Sequence, residues 1–279
     1  VCPAADTANI NAFIQREGNE SGMRYARLQR QAISLALESG VMLLTGGPGT
    51  GKTTVVRALL HIFESMELRI ALAAPTGRAA KRLSESTSYE AKTIHRLLEY
   101  GGEEEGQVRF HRDESNLLEE NVVIVDEASM VDNQLMSALL HAVKPGAHLI
   151  FIGDADQLPS VGAGNVLRDL IDCGRFATVR LTEIFRQAQT SLIVTNAHAI
   201  NRGEMPRLDG KDNDFFFLPR SEDAALVATV AQLCAARLPK TYGEMAVSGT
   251  QVIAPSRRGV AGTEHLNRVL QAGLNPPPP

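Results

Sequence analysis

The sequence predicts an α/β protein: a parallel sheet flanked by helices, with a small inserted hairpin and an incomplete second lobe. Two observations carry that prediction. Apolar runs of strand length recur at residues 41–44, 69–74, 122–125, 148–152 and 178–181, and segments of helical spacing separate them. Strands alternating with helices build a parallel sheet covered on both faces. The first run is also followed at once by a glycine-rich turn and a helical segment, Val41-Met-Leu-Leu-Thr-Gly-Gly-Pro-Gly-Thr-Gly-Lys-Thr-Thr54.

Taken in order, residues 8–17 form one short helical pattern, closed by the polar breaker Gly18-Asn-Glu-Ser-Gly22. Residues 1–21 are therefore expected to be the tail of a preceding domain or a linker. Residues 23–39 place Leu28, Ala32, Leu35 and Ala36 on one helical face and feed the first strand. After the glycine turn, residues 52–63 have helical spacing. The 69–74 strand is broken by Pro75-Thr-Gly77, and helices are expected at 78–85 and 93–100. Residues 101–118 change character, and Glu103-Glu-Glu105-Gly106 between two short segments reads as a hairpin. Asp132 is placed to cap a helix reaching residue 143, and 164–172 is helical. A first lobe over 22–182 and a partial second lobe over 183–279 follow. The second is expected to hold helices at 191–201, at 222–237 after a capping Ser221, and at 263–272, with strands at 215–218 and 251–254.

Composition bounds the rest. The chain has 279 residues, 44% hydrophobic and 22% charged, which is ample core for about two domains. Its net charge is −4, so a nucleic-acid surface would have to be a local basic groove. Cys2, Cys173 and Cys234 form no C-x-x-C pair; they argue for neither a zinc site nor a disulfide framework and suit a reducing compartment. No apolar run reaches the ~18 residues of a membrane span, so no membrane partner is expected. The chain begins at Val1 without Met, which is expected of a fragment.

Gly46, Gly51, Lys52 and Thr53 match the phosphate-loop pattern G-x-x-x-x-G-K-[ST], and Gly47, Pro48, Gly49, Thr50 and Thr54 complete the turn. Glycines let backbone N–H groups turn toward phosphates, and the helix that follows aims its positive dipole end at the anion. Lys52 supplies a point charge, and the Thr53 hydroxyl suits one position on Mg²⁺. ATP and Mg²⁺ are the expected cofactors. Asp126-Glu127 ends the apolar 122–125 strand, where open parallel sheets place ligands. Asp126 suits Mg²⁺, and Glu127 suits the orientation and deprotonation of an attacking water. Gln157, in Gly153-Asp-Ala-Asp-Gln-Leu-Pro159, could bond a γ-phosphate and groups across a cleft; the same residues also suit a polar turn.

Three further features are ambiguous on their residues alone. The Gln29 amide suits an adenine edge or a solvated helix face, and no N-K-x-D guanine-reading sequence is present. Arg186 could reach a transferring phosphoryl group or pair with Glu183 three residues earlier. Ala74-Pro-Thr-Gly-Arg-Ala-Ala-Lys-Arg82 offers a hydroxyl, backbone donors and three cations to a phosphodiester, or a solvated basic helix face. Thr93 and His95 are weaker candidates for that surface, and His95 by itself reads first as a packed or capping residue.

In their order, these motifs resemble a RecD-like superfamily 1 DNA helicase, over about residues 24–276. The carrying residues are Gln29, Gly46 to Thr54, Ala74-Pro-Thr-Gly-Arg78, Thr93-Ile-His-Arg96, Val125-Asp-Glu-Ala-Ser-Met-Val-Asp132, Gly153-Asp-Ala-Asp-Gln-Leu-Pro-Ser-Val-Gly162, Leu181-Thr-Glu-Ile-Phe-Arg186 and Ala254-Pro-Ser-Arg-Arg-Gly259. The resemblance implies a RecA-like P-loop NTPase with two lobes, ATP between them and single-stranded DNA across both. It implies 5′ to 3′ movement, a duplex-splitting pin at about 101–118, and repair or recombination in bacterial cytoplasm. It assigns Gln29 to adenine and Arg186 to the γ-phosphate, and turns Pro75, Thr76, Gly77, Arg78, Thr93 and His95 toward DNA. Single-stranded DNA, duplex junctions with a 5′ tail and other repair proteins are the implied partners. The family's last two motifs and its N-terminal domain are missing, so the chain is expected to be a central piece that hydrolyses ATP poorly alone. Two other readings fit the residues: an RNA helicase of the same superfamily, and a nucleotide-controlled nucleic-acid binding module that does not translocate.

Overall fold

In a computed structural model of the chain, which describes residues 7–104, 107–185, 189–209, 213–243 and 249–275, the expected parallel sheet forms. The strands of the main sheet are β1 (Val41–Gly46), β2 (Ile70–Ala74), β3 (Ala91–Thr93), β6 (Val122–Val125), β7 (His148–Gly153) and β8 (Ala177–Leu181), ordered β3-β2-β6-β7-β1-β8. Every pairing among them is parallel. All six therefore deliver their carboxyl ends to one edge. The chain runs outward from β2 to β3 and then returns through β6 and β7 to flank β1, so the loop after β1 lies where the strand order reverses.

Alternation along β1 explains how both faces are covered. Met42 and Leu44 join one cluster with Ile33 and Ala36 of α2 (Arg27–Glu38) and Val55, Leu59 and Phe63 of α3 (Lys52–Ser65). Leu43 points the other way, into a cluster with Val123, Phe151 and residues of α5 (Ile94–Leu97), α6 (Asn133–Ala142) and α7 (Val166–Asp172). A side-chain period of two makes this partition unavoidable once the strand is buried on both faces. Each such large apolar side chain contributes about 1.5–3 kcal/mol on burial.

Several local expectations are corrected. The N-terminal helix α1 runs over Thr7–Ser21, through Gly18, and its Ile10 and Ile14 enter the α2–α3 core. Burial of that apolar face outweighs the cost of one mid-helix glycine. The helix expected over 93–100 is instead strand β3 and the single turn α5, because the Thr93 hydroxyl accepts the Arg96 N–H at 3.1 Å and starts the helix there. The hairpin forms from β4 (Tyr100–Glu104) and β5 (Gln107–Phe110), paired antiparallel; Glu105 and Gly106 lie outside the described residues. Helix α4 (Gly77–Thr87) links β2 to β3.

The chain divides into two compact units, 1–215 and 216–279. The first also contains α8 (Leu192–Asn201). The regular elements described in the second are all helical: α9 (Asp223–Gln232), a π-helical segment Leu233–Arg237, α10 (Leu238–Tyr242) and α11 (Thr263–Leu274). Val227, Cys234 and Leu266 are the buried apolar side chains among its described residues. The strands expected at 215–218 and 251–254 do not form; strand composition needs a partner ladder, and none among the described residues pairs with them. Ser221 does not cap α9, since Glu222 occupies that position without a side-chain bond. Among the described residues no helix is long and apolar enough to cross a membrane.

Candidate nucleotide-binding and catalytic site

The loop between β1 and α3 opens into a cavity of about 850 Å³ at the carboxyl edge of the sheet. Its lining contains Gln29, Gly47, Pro48, Gly49, Thr50, Gly51, Lys52, Thr53, Thr54, Asp126, Glu127 and Gln157. Four separate stretches of sequence thus meet in one place. Gly46 stands at the foot of the loop, where its carbonyl accepts a bond of 2.5 Å from Lys52 Nζ; the Gly47 carbonyl accepts a second at 3.1 Å. The Lys52 ammonium is therefore held across the mouth of the loop. Thr50 is buried and donates to the Gly47 carbonyl at 2.8 Å, which closes the turn from inside.

Gly51 caps α3 at φ 82°, in the left-handed region. A Cβ there would stand 2.4 Å from Gln29 Nε2 and 2.9 Å from the Phe185 ring, so this position requires glycine for both backbone and space. The first turn of α3 lines the cavity, and its unpaired N–H groups make it an anion site.

Gln29 is buried rather than solvated. Its Oε1 accepts the Ala26 N–H at 3.0 Å and its Nε2 donates to the Gly51 carbonyl at 3.4 Å, tying α2 to the phosphate loop. Asp126 lines the cavity. Burial pushes its carboxyl up to about 6, and the charge of Glu127 adds to the rise; the Glu127 N–H, bonded to Oδ1 at 2.9 Å, and the cations Lys52 and Arg82 oppose it. Glu127 has φ 53° and ψ 39°, a left-handed conformation that costs a non-glycine residue about 1 kcal/mol or more. It holds the two neighbouring carboxylates on the cavity wall.

Gln157 follows β7 in a turn fixed from below. The Thr45 hydroxyl accepts the Ala155 N–H at 3.0 Å, the Asp154 carboxylate accepts the Asp156 N–H at 3.0 Å, and the Asp154 carbonyl accepts the Gln157 N–H at 3.1 Å. Asp156 is paired with Arg180 at 2.9 and 3.0 Å. Arg186 lies outside the described residues.

The residues expected to face DNA gather at the neighbouring strand ends and do not line the cavity. Pro75, Thr76, Gly77 and Arg78 follow β2; Thr93 ends β3 and His95 follows it. Thr76 caps α4 by accepting the Ala79 N–H at 3.2 Å, and Arg78 is exposed. His95 packs its ring 5.9 Å from Tyr100 and 5.7 Å from Phe110, at the foot of the hairpin.

Sequence reasoning missed Met23, Arg24, Ser86 and Phe185 on the cavity wall, and it grouped Arg82 with Arg78 and Lys81. Arg82 lines the cavity beside Asp126, while Lys81 is 4.0 Å from Glu85. Phe185 donates its N–H to the Gly49 carbonyl at 3.3 Å. Its place beside Arg186 in Leu181-Thr-Glu-Ile-Phe-Arg186 was the one available signal.

Fold and site together define a RecA-like P-loop nucleotide-binding protein. The profile of the AAA domain family matches residues 24–214, and the chain belongs to that family. It is 39% identical over 236 residues to the ATP-dependent RecD2 DNA helicase of Deinococcus radiodurans, across 85% of this chain and 31% of that protein. It is 40% identical over 285 residues to the RecBCD enzyme subunit RecD of Mycobacterium tuberculosis, across 88% of this chain and 48% of that protein. The resemblance to RecD-like helicases read from the motifs holds. The chain spans less than half the length of these two relatives. Among solved structures, that of Bacteroides Pif1 bound to single-stranded DNA is 20% identical with a TM-score of 0.47, across 77% of this chain and 57% of that one.

The cavity residues fit a magnesium nucleotide. A helix N-terminus, a lysine and a desolvated carboxylate face one space, which are the donors that a polyphosphate and a hard cation require. Among the described residues no cluster of three or more His, Cys, Asp or Glu gathers. Thr53 and Asp126, both on the lining, are the residues that could hold the cation.

Proposed function

We propose that this chain is the ATPase core of a DNA helicase that moves 5′ to 3′ along single-stranded DNA. The observation that carries the reading is the convergence of Lys52, Thr53, Asp126, Glu127 and Gln157 on one cavity, with the Arg78 and Thr93 strand ends on the same sheet edge. ATP is the nucleotide: the buried Gln29 amide reads the adenine edge and Phe185 gives its ring an apolar wall. Lys52 neutralises charge on the β- and γ-phosphates. Thr53 and Asp126 would hold Mg²⁺, which when bound spreads the phosphate charge. Glu127 orients a water and accepts its proton, and Gln157 bonds the γ-phosphate oxygens. Arg186 stabilises charge on the transferring group.

Pro75, Thr76, Gly77, Arg78, Thr93 and His95 hold the strand through its backbone. Contacts of that kind bind any sequence, as a translocating motor requires. Because β2, β3 and β6 are hydrogen-bonded neighbours, a shift at Asp126 and Glu127 has a short rigid path to the DNA-holding ends. Separating a base pair opposes about 1.4 kcal/mol of stacking per step, and the hairpin at 101–118 would split the duplex while ATP-driven stepping supplies that energy. Repair or recombination in the bacterial cytoplasm, alongside other repair proteins, is the setting that the RecD relatives support.

The test is strand displacement by the full-length protein on duplexes with either a 5′ or a 3′ tail. Displacement confined to the 5′-tailed duplex supports the reading. Equal displacement of both, or ATP hydrolysis indifferent to DNA, contradicts it.

A further inference from the structure

One side chain that no motif singles out braces the phosphate loop from outside the nucleotide cavity. It is His198, on α8. A Cβ built on Gly47 would stand 2.5 Å from His198 Cε1 and 3.3 Å from each ring nitrogen, so the imidazole fills the space beside Gly47. His198 Nε2 lies 3.1 Å from the Pro48 carbonyl oxygen. A carbonyl only accepts, so Nε2 carries the proton.

The helix that presents this ring is fixed by other means. Ser191 caps it by accepting the Val194 N–H at 3.2 Å, and the Asp214 carboxylate accepts the Leu192 N–H at 2.7 Å. Buried Asn196 donates to the Arg207 carbonyl at 2.9 Å and accepts its N–H at 2.8 Å. His198 is not needed for any of these anchors. On its far side the loop faces a second cavity of about 420 Å³, bounded by Pro48, Asp154, Gln157, His198 and Asn201. Gly47 and Pro48 of the loop line both spaces, whereas Lys52 lines only the first and His198 only the second.

We propose that His198 is a positioning residue for the phosphate loop. A peptide unit is planar and trans, so holding the Pro48 carbonyl toward His198 turns the Gly49 N–H of the same unit the opposite way. Gly49 lines the nucleotide cavity and not the second one. The bond therefore presets a phosphate donor and ties the loop to α8, the helix that follows the Arg186 segment. The inference rests on the nucleotide-site reading above.

The test is the affinity for a fluorescent ATP analogue with Mg²⁺ in wild type, His198→Ala, His198→Gln, Gly47→Ala and the double variant Gly47→Ala/His198→Ala. Loss of one hydrogen bond weakens binding about threefold to tenfold in His198→Ala. His198→Gln keeps a donor and recovers most of that loss. The methyl of Gly47→Ala displaces the ring, so this variant weakens binding alike, and combining it with His198→Ala adds nothing further. Wild-type affinity in His198→Ala, no recovery in His198→Gln, or losses that multiply in the double variant each overturn the proposal. Lys52→Ala separates it from its foundation. Binding that ignores Lys52, or that wild type lacks, removes both; binding that needs Lys52 and ignores His198 removes only this inference.

Discussion

Replacing Asp126 by asparagine is expected to stabilise the protein while disabling its site. Burial raises the Asp126 carboxyl from its ordinary 3.8 to about 6. A carboxyl raised in the folded state is a cost to folding that is fully present above about pH 6. The cost is relieved as pH falls toward 3.8, because the native state then binds the proton more tightly. The difference corresponds to at most about 3 kcal/mol, reduced where solvent in the open cavity screens the charge. Asp126→Asn retains an Oδ1 that can accept the Glu127 N–H. The variant should therefore gain about 1–3 kcal/mol at pH 8, a rise of several degrees in Tm at about 2–4 °C per kcal/mol. By pH 4.5 the gain should fall by about two thirds. Thermal denaturation followed by circular dichroism from pH 4.5 to 8, without nucleotide, reads this directly. Adding a Mg²⁺–ATP analogue should reverse the order, since wild type gains by mass action and the variant gains little. A variant less stable than wild type at pH 8, or a gain equal at both ends of the range, refutes the reasoning.

Three other perturbations separate the parts of the site. Glu127→Gln should retain nucleotide affinity within about threefold while turnover falls by about 10²–10⁴, as for loss of a general base; parallel losses in affinity and turnover would show a binding role instead. Arg78→Ala should lower the slope of log affinity for single-stranded DNA against log salt by about 0.7, the share of one phosphate contact, and an unchanged slope would remove Arg78 from the interface. Phe151→Ala should cost about 3–5 kcal/mol in urea denaturation, because its ring is 2% exposed at the centre of one core cluster; a cost under 1 kcal/mol would mean that this face of the sheet is not tightly packed.

The first unit was legible because its signals are local. The apolar runs at 41–44, 122–125 and 148–152 are buried on both faces, so composition alone marks them, and the phosphate loop carries its pattern in consecutive residues. Strand β3 was not legible: its residues are Ala91, Lys92 and Thr93, and pairing with β2 rather than intrinsic preference makes it a strand. The opposite error occurred at 215–218 and 251–254, where strand-like composition finds no ladder. Within the site, Gln29 was ambiguous because its burial depends on Ala26 and Gly51, the latter remote in sequence. Arg82 sits one residue beyond Lys81, yet turns into the cavity, a difference that helical spacing alone did not resolve. Phe185 and His198 reach the loop only through tertiary contacts. An imidazole such as that of His198, within a helix, has no local signature of the surface it meets.

The measurement that bears most directly on the account is steady-state ATP hydrolysis by the full-length protein, with and without single-stranded DNA, alongside Lys52→Ala. Strong stimulation by DNA that disappears in Lys52→Ala is the predicted result. Hydrolysis that DNA leaves unchanged, or that survives loss of Lys52, would contradict a DNA motor driven from this cavity.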